Sequence, residues 1–94
     1  MRPNFVWDPR KAAENEAKHG VSFEDASTVF GDRFATTIVD EEHSTEDEER
    51  FITIGMSYSG QTLVVIHSDE GDRIRIISAR AATRRERHDY ERKR

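Results

Sequence analysis

The sequence predicts an α+β fold: a small, mostly antiparallel sheet with two N-terminal helices and one C-terminal helix, in the order β-α-α-β-β-β-β-α. Three observations support this prediction. Helix start and stop signals enclose two segments near the N-terminus, four β-rich segments follow, and a capping box opens a last helix at Thr83-Arg84-Arg85-Glu86. Ninety-four residues without an internal repeat or a long linker predict that residues 1–94 form a single domain.

The first elements are a short strand and a polar helix. Phe5-Val6-Trp7 is aromatic and β-branched, which favours a strand. Asp8 can cap a helix that begins with Pro9, where the missing N–H group has no cost, and Gly20 is the expected stop. The apolar residues that this helix can turn towards a core are Ala12, Ala13 and Ala17.

A second helix is predicted after Ser22-Phe23-Glu24-Asp25, which is similar to a capping box. It ends at Gly31 and buries the apolar residues spaced at i, i+3 and i+7, which are Phe23, Ala26 and Phe30.

The strands of the remaining chain are predicted at residues 34–39, 50–58, 62–67 and 73–78. The last three form a meander, with turns at Ser59-Gly60 and at residues 68–72. Between the first two strands, residues 40–49 contain seven acidic side chains, which favours a mobile, solvated loop. An alternative is that this acidic segment shields a basic face until a partner binds.

The charge of the chain is unevenly distributed. Residues 1–72 hold 6 Lys and Arg against 16 Asp and Glu, a net charge of −10, whereas residues 73–94 hold 9 against 3, a net charge of +6. Such a division indicates a face that binds a polyanion. The alternative is that the two parts neutralise each other in the folded protein.

Several classes of function have no support in the sequence. The absence of cysteine excludes disulfides, Cys-ligated zinc and thiol chemistry, and it fits a reducing compartment. No signal-peptide-like run and no stretch of about 20 apolar residues is present, so we expect a soluble, cytoplasmic protein with no membrane contact. Nucleotide-binding and hydrolase motifs are absent, and we expect no cofactor and no metal, because no metal-binding spacing relates His19, His43, His67 and His88.

Arginines dominate the strand at residues 73–80 and the helix after it. Strand alternation puts Ile74, Ile76 and Ser78 on one face and Arg73, Arg75 and Ile77 on the other. Guanidinium groups on an open sheet face suit phosphate recognition, whereas the plainer interpretation is an edge strand kept soluble by charge. Arg75 and Arg80 lie on opposite faces unless the chain bends near residues 78–79.

Cleavage of RNA without a metal requires deprotonation of the ribose 2′-hydroxyl, stabilisation of the phosphorane and protonation of the leaving oxygen. Arginine can perform only the second task, because it does not lose its proton in a protein. We expect His67 to exchange protons beside the arginines, and the other available groups are His19, Glu86, His88 and Tyr90. The alternatives are that His67 only completes a buried strand and that Lys18-His19 only favour the helix dipole.

The chain closely resembles the BrnT toxin family over nearly its whole length. The matching residues are Phe5-x-Trp7-Asp8-Pro9-x-Lys11, Asn15-x-x-Lys18-His19-Gly20-Val21-Ser22-Phe23, Phe30-x-Asp32, Arg50-Phe51, Ile54-Gly55, Arg75-Ile76-Ile77-Ser78-Ala79-Arg80, Glu86-Arg87 and Tyr90-Glu91. The resemblance implies a RelE-like α/β fold and a bacterial type II toxin that cleaves RNA and arrests translation and growth. It also implies neutralisation by a small BrnA-type antitoxin, whose ribbon-helix-helix domain binds operator DNA for the complex.

The resemblance further implies a cluster of basic residues with a C-terminal tyrosine, roles that Arg50, Arg75, Arg80 and Tyr90 can fill. We therefore predict a metal-independent endoribonuclease in which Arg75 and Arg80 hold the scissile phosphate and His67 or Tyr90 moves protons. The predicted RNA-binding residues are Arg50, Arg73, Lys18, His19 and Arg84. The expected partners are RNA and a BrnA-type antitoxin in a 2:2 complex. The alternative is a non-catalytic RNA- or protein-binding module that uses the basic strand and helix.

Overall fold

The computed structural model describes residues 4–93, in which five strands and three α-helices follow the predicted order. The strands are β1 (Asn4–Val6), β2 (Thr36–Val39), β3 (Arg50–Met56), β4 (Thr62–Glu70) and β5 (Arg73–Ala81). The helices are α1 (Pro9–His19), α2 (Phe23–Ser27) and α3 (Arg84–Arg92), with a 3₁₀ helix at Thr28–Gly31 directly after α2. The predicted α+β fold class is confirmed.

The five strands form one sheet in the order β1-β5-β4-β3-β2. Strands β2 to β5 are a continuous antiparallel meander, as predicted, and β1 pairs in parallel with β5. A parallel neighbour requires a long crossover, and the chain from α1 to β4 provides it. The strand with most of the arginines, β5, therefore lies inside the sheet rather than at its edge.

Both predicted ends of α1 and the predicted start of α3 are confirmed, because local chemistry determines them. The Asp8 side chain accepts a hydrogen bond from the Arg10 N–H group at 2.8 Å, and Gly20 takes the left-handed conformation with φ 70°. At α3, the Thr83 hydroxyl accepts from the Glu86 N–H group while the Glu86 carboxylate accepts from the Thr83 N–H group.

Several predicted boundaries differ from the structure. Strand β1 is Asn4–Val6 rather than residues 5–7, β2 begins at Thr36 rather than at residue 34, β3 ends at Met56 rather than at residue 58, and β5 continues to Ala81. Strand β4 continues to Glu70, because Ser68, Asp69 and Glu70 pair with β5, and the predicted turn at residues 68–72 shortens accordingly. The second helix changes to 3₁₀ geometry at Thr28, whose hydroxyl donates to the Asp25 carbonyl at 2.6 Å.

The core lies between one face of the sheet and the helices α1 and α2; we call this side of the sheet the helical face. Its fully buried side chains include Phe23, Val29, Leu63, Val65 and Ile76. The predicted contribution of α1 is largely wrong: Ala13 and Ala17 are exposed, and the buried residue of α1 is Asn15.

The buried amide of Asn15 joins α1 to the sheet. Its Nδ2 donates to the carbonyls of Ala79 and Val21 at 2.9 and 3.0 Å, and its Oδ1 accepts from the Ala79 N–H group at 3.1 Å. Strand β1 pairs with β5 only from Arg73 to Arg75, so Asn15 satisfies backbone groups of β5 beyond the end of β1.

Helix α3 packs against the opposite face of the sheet. A cleft of about 190 Å³ lies between α3 and the sheet, lined on the sheet side by Ile38, Ile52 and Ile54, and Tyr90 of α3 is buried there. The Tyr90 hydroxyl donates to the Asp32 carboxylate, which also accepts from the Met56 N–H group at 2.8 Å. No helix within residues 4–93 is long and apolar enough to cross a membrane.

Candidate functional site

A β-bulge in β5 brings the key arginines to one side of the sheet. Ile66 pairs with Ser78, but the next residue, His67, pairs with Ile76, so Ile77 is an extra residue in β5. The bulge shifts the alternation of side chains, and Ser78 leaves the face of Ile76, contrary to the predicted regular alternation. The shift places Arg75 and Arg80 on the same face, but the predicted joint grip of one scissile phosphate is wrong, because their β4 partners lie four residues apart.

The register shows which side chains share a face. Arg75 is paired with Ser68 and Arg80 with Val64, and these two β4 residues lie four positions apart, on the same face. Arg50 is also paired with Ser68, from the other side. We call the side of the sheet that bears Arg50, Arg75 and Arg80 the arginine face; it is the face on which α3 packs.

Ser68 lies at the centre of a row across three strands, between Arg50 and Arg75. It is 2% exposed, and its hydroxyl has no hydrogen-bond partner within residues 4–93. A buried hydroxyl without a partner requires an explanation, because such groups are nearly always satisfied. It lies between two guanidinium groups, each paired with a glutamate, and the cleft that it lines also bears Asp47, Glu49 and Asp69, so an anion that binds there has to displace carboxylates.

Each of the two arginines beside Ser68 forms an ion pair with a glutamate. Arg50 Nε lies 2.8 Å from Glu48 Oε1. Arg75 Nε contacts Glu70 Oε2, and its Nη2 lies 3.4 Å from Glu70 Oε1. The hydrogen bond from Arg75 lowers the pKa of Glu70 and raises that of Arg75. These side chains are 30–43% exposed, so water and ligands can reach them.

Arg80 lies at the other end of the arginine face, about 13 Å from Arg75 at a rise of about 3.3 Å per residue along β4. It forms two parallel bonds with Glu86, at 2.8 and 2.9 Å. The hydrogen bond from Arg80 is the largest cause that lowers the pKa of Glu86, to about 2, and the backbone of Thr83 adds to it. Glu86 is therefore fixed by both Arg80 and the helix cap.

His67 lies on the helical face, not beside the arginines as predicted from the sequence. It is 4% exposed, and its ring contacts the rings of Phe30 and Phe51. Its Nε2 is 2.7 Å from the Thr53 hydroxyl, and its Nδ1 is 3.9 Å from Asp69. Burial lowers the pKa of His67, an effect that Asp69 partly opposes.

This burial predicts a pH dependence of stability. Because the pKa of His67 is lower in the folded protein than its ordinary 6.5, the unfolded chain binds this proton more tightly. The contribution of His67 to the free energy of unfolding is therefore complete above about pH 6.5 and is lost as the pH falls towards the folded pKa, with a slope of at most about 1.4 kcal/mol per pH unit. Urea unfolding between pH 7 and pH 5 measures this slope. His67→Gln should reduce it, whereas the exposed-residue control His88→Gln should not, and equal slopes in all three proteins would contradict the assignment.

The other predicted site residues are distributed over the molecule. Arg73 and Arg84 are exposed, at the start of β5 and the start of α3. Lys18 and His19 are exposed in the last turn of α1, a helix of the helical face. Tyr90 lies on the arginine side, but its hydroxyl contacts Asp32.

The acidic segment 40–49 is held at its first residue and is otherwise largely exposed. Asp40 is 4% exposed and accepts a hydrogen bond from the Ser44 N–H group, and its carboxylate lies 2.8 Å from His43 Nδ1. Of its acidic side chains, Glu48 contacts the arginine face, through Arg50. Within residues 4–93, no three His, Asp or Glu side chains converge in a way that could hold a metal ion.

Three residues of importance were not predicted from the sequence: Asn15, Ser68 and Glu70. The sequence predicts a turn at residues 68–70, because serine and aspartate favour turns and aspartate and glutamate are uncommon in strands. The alternation of side chains along β4 could have revealed Ser68 and Glu70. A strand extended by three residues places both on the same face as Val64 and Ile66.

Comparisons with known proteins agree with this fold. A family model described as "Ribonuclease toxin, BrnT, of type II toxin-antitoxin system" matches residues 7–86. The chain is similar to the 1.1 Å crystal structure of the Brucella abortus ribonuclease toxin BrnT, with 26% sequence identity, a TM-score of 0.66, and coverage of 87% of this chain and 99% of that one. A search of curated proteins gave no match. The family model covers most of the chain, and the protein therefore belongs to the BrnT family of ribonuclease toxins of type II toxin–antitoxin systems.

Proposed function

We propose that the arginine face is the site at which this toxin cuts RNA, as a metal-independent endoribonuclease. The observation that supports this most directly is the row Arg50–Ser68–Arg75, to which the bulge at Ile77 adds Arg80 on the same face. This row brings two guanidinium groups and a buried hydroxyl to one place. They are donors suited to the oxygens of a phosphate group.

Arg75 and Arg50 hold the scissile phosphate in this scheme. Their glutamate partners must give way, which is feasible because solvent screens ion pairs at partly exposed positions and leaves them weak. The negative charge on the phosphate oxygens increases as the 2′-oxygen attacks, so guanidinium groups fixed there stabilise the transition state more than the ground state. Ser68 adds a hydroxyl donor to the same phosphate once its neighbours move.

Arg80 binds the RNA strand at a different point. Its distance of about 13 Å from Arg75 along the strand suits an RNA backbone that crosses the sheet rather than a single phosphate. Arg73 and Arg84, both exposed, extend the basic surface on either side.

His67 and Tyr90 have supporting roles in this scheme. His67 holds the helical face together through Thr53 and the aromatic side chains around it. Tyr90 fixes α3 to the sheet through Asp32, and α3 in turn positions Glu86 and Arg80. Lys18 and His19, in the last turn of α1, are available to a distant part of the RNA or to a partner protein.

The toxin acts together with an antitoxin, as its family does. We propose a BrnA-type antitoxin with a ribbon-helix-helix domain, a 2:2 complex, and contact with operator DNA through the antitoxin alone. The basic residues of the arginine face belong to the toxin's RNA site in this proposal, and the free toxin works in the cytoplasm, where its RNA is found.

Purified, antitoxin-free protein should cleave RNA in the presence of a metal chelator. We would incubate it with total RNA and, separately, with translating ribosomes, and follow the appearance of new RNA ends. Cleavage that survives the chelator supports the proposal. Cleavage that is lost with the chelator and restored by a divalent cation contradicts metal independence, and no cleavage of either substrate favours the non-catalytic binding module.

A further inference from the structure

The arginine face requires a group that accepts the proton of the ribose 2′-hydroxyl, because arginine cannot do so. The histidines within residues 4–93 lie elsewhere. His67 is on the helical face and His43 contacts Asp40. His19 ends α1, and His88 lies two positions from both Glu86 and Tyr90 on α3, which turns it away from the sheet.

Carboxylates remain as candidates, and three of them contact the arginines. Glu86 is held by Arg80 and also accepts from the Thr83 N–H group, so its removal would disturb the start of α3. Glu48 belongs to the segment before β3 and contacts Arg50 through one bond. Glu70 differs from both, since it lies on a strand of the sheet itself.

The position of Glu70 is close to the proposed phosphate site. It lies two residues from Ser68 along β4, on the same face, and is the cross-strand neighbour of Arg73. Its carboxylate contacts Arg75 through both oxygens and is about one-third exposed. A phosphate bound by Arg75 therefore has this carboxylate beside it.

We propose that Glu70 is the general base of RNA cleavage, an inference that rests on the proposed function. Glu70 takes the proton from the 2′-hydroxyl, and the 2′-oxygen forms a bond to phosphorus. The bond from phosphorus to the 5′-oxygen breaks, and its electron pair stays on that oxygen, which takes a proton from water. The products are a 2′,3′-cyclic phosphate and a 5′-hydroxyl, and Glu70 returns its proton to the solvent.

The ion pair with Arg75 prepares Glu70 for this step. In the free protein Arg75 keeps the carboxylate ionised, because its hydrogen bond lowers the pKa of Glu70. When the scissile phosphate binds Arg75, the carboxylate loses that partner and becomes a better proton acceptor next to the 2′-hydroxyl. Binding of substrate and activation of the base are thus coupled through one guanidinium group.

The test is the pH profile of single-turnover cleavage, with whichever RNA substrate the wild type cuts. The wild-type rate should fall as the pH drops through the range in which carboxylates titrate, about 4 to 5. Glu70→Gln should lower the rate at pH 7 by about 10²- to 10⁴-fold and abolish this acidic decline, while RNA still binds. Glu70→Asp, which keeps the carboxylate, should retain part of the rate and the decline.

Glu48→Gln is the matched control, because it makes the same change beside Arg50 and should keep the acidic decline. Thermal unfolding verifies that each variant is folded. A folded Glu70→Gln variant that cleaves RNA at the wild-type rate would overturn the proposal. A folded variant with a lower rate but an unchanged acidic decline would overturn it too, and would mean that Glu70 only positions Arg75. A wild-type protein that cuts no RNA would instead contradict the proposed function itself.

Discussion

Arg75→Ala is expected to lower the rate of RNA cleavage by about a hundredfold or more while the protein stays folded. Loss of one donor to a developing oxyanion costs about 10²- to 10³-fold in rate. Arg75 is 40% exposed and its hydrogen bonds go to Glu70, so the cost to the free energy of unfolding is about 1 kcal/mol or less. Cleavage assays on purified protein and growth arrest in cells without the antitoxin both measure the effect.

Four further variants make this experiment specific. Arg75→Lys keeps the charge but loses the planar fork, and should restore only part of the rate. Arg80→Ala should weaken RNA binding more than it slows the bond-breaking step. Arg33→Ala removes an arginine that stacks on Phe34, away from the site, and should cleave like the wild type. Full toxicity of a stable double variant, Arg75→Ala with Arg80→Ala, would contradict the assignment of the site.

Asn15→Ala is expected to destabilise the protein by about 3 kcal/mol or more, since a buried polar group left without its partner costs about 1–3 kcal/mol and three groups are affected. The substitution removes the bonds to both backbone groups of Ala79 and to the Val21 carbonyl. Against a total of about 5–15 kcal/mol for a small domain, this loss is large. Urea unfolding of the two proteins gives the difference directly.

Glu16→Ala is the control for Asn15, because it changes the adjacent residue of α1, whose side chain is exposed. It should alter the free energy of unfolding by about 0.5 kcal/mol or less. If Asn15→Ala destabilised the protein by no more than Glu16→Ala does, the apolar contacts of α1, and not Asn15, would hold it to the sheet.

The parts of the fold that depend on local chemistry could be predicted from the sequence. Asp8 with Pro9, Gly20 and the Thr83 capping box act within a few residues of their own position, so their effect is visible in a short stretch. The meander was equally predictable, because turn residues separate β-rich segments.

The features that depend on register could not be predicted in the same way. The bulge at Ile77 exists only in relation to β4, and a single strand read alone gives regular alternation. His67 lies on the face of Leu63 and Val65, and the same bulge moves Arg75 to the other face, because one residue of shift changes the face of a side chain. The burial of Asn15 depends on the backbone of Ala79, which lies 64 residues away along the chain.

The chemistry of the RNA ends tests the central claim most directly. If the arginine face promotes attack by the 2′-hydroxyl, RNA cut by the protein in a chelator carries a 2′,3′-cyclic phosphate or 3′-phosphate and a 5′-hydroxyl. An RNA with a single 2′-deoxy nucleotide at the cleavage position should then resist cutting there. Products with a 3′-hydroxyl and a 5′-phosphate, or cleavage of the deoxy-substituted RNA at the wild-type rate, would contradict this account.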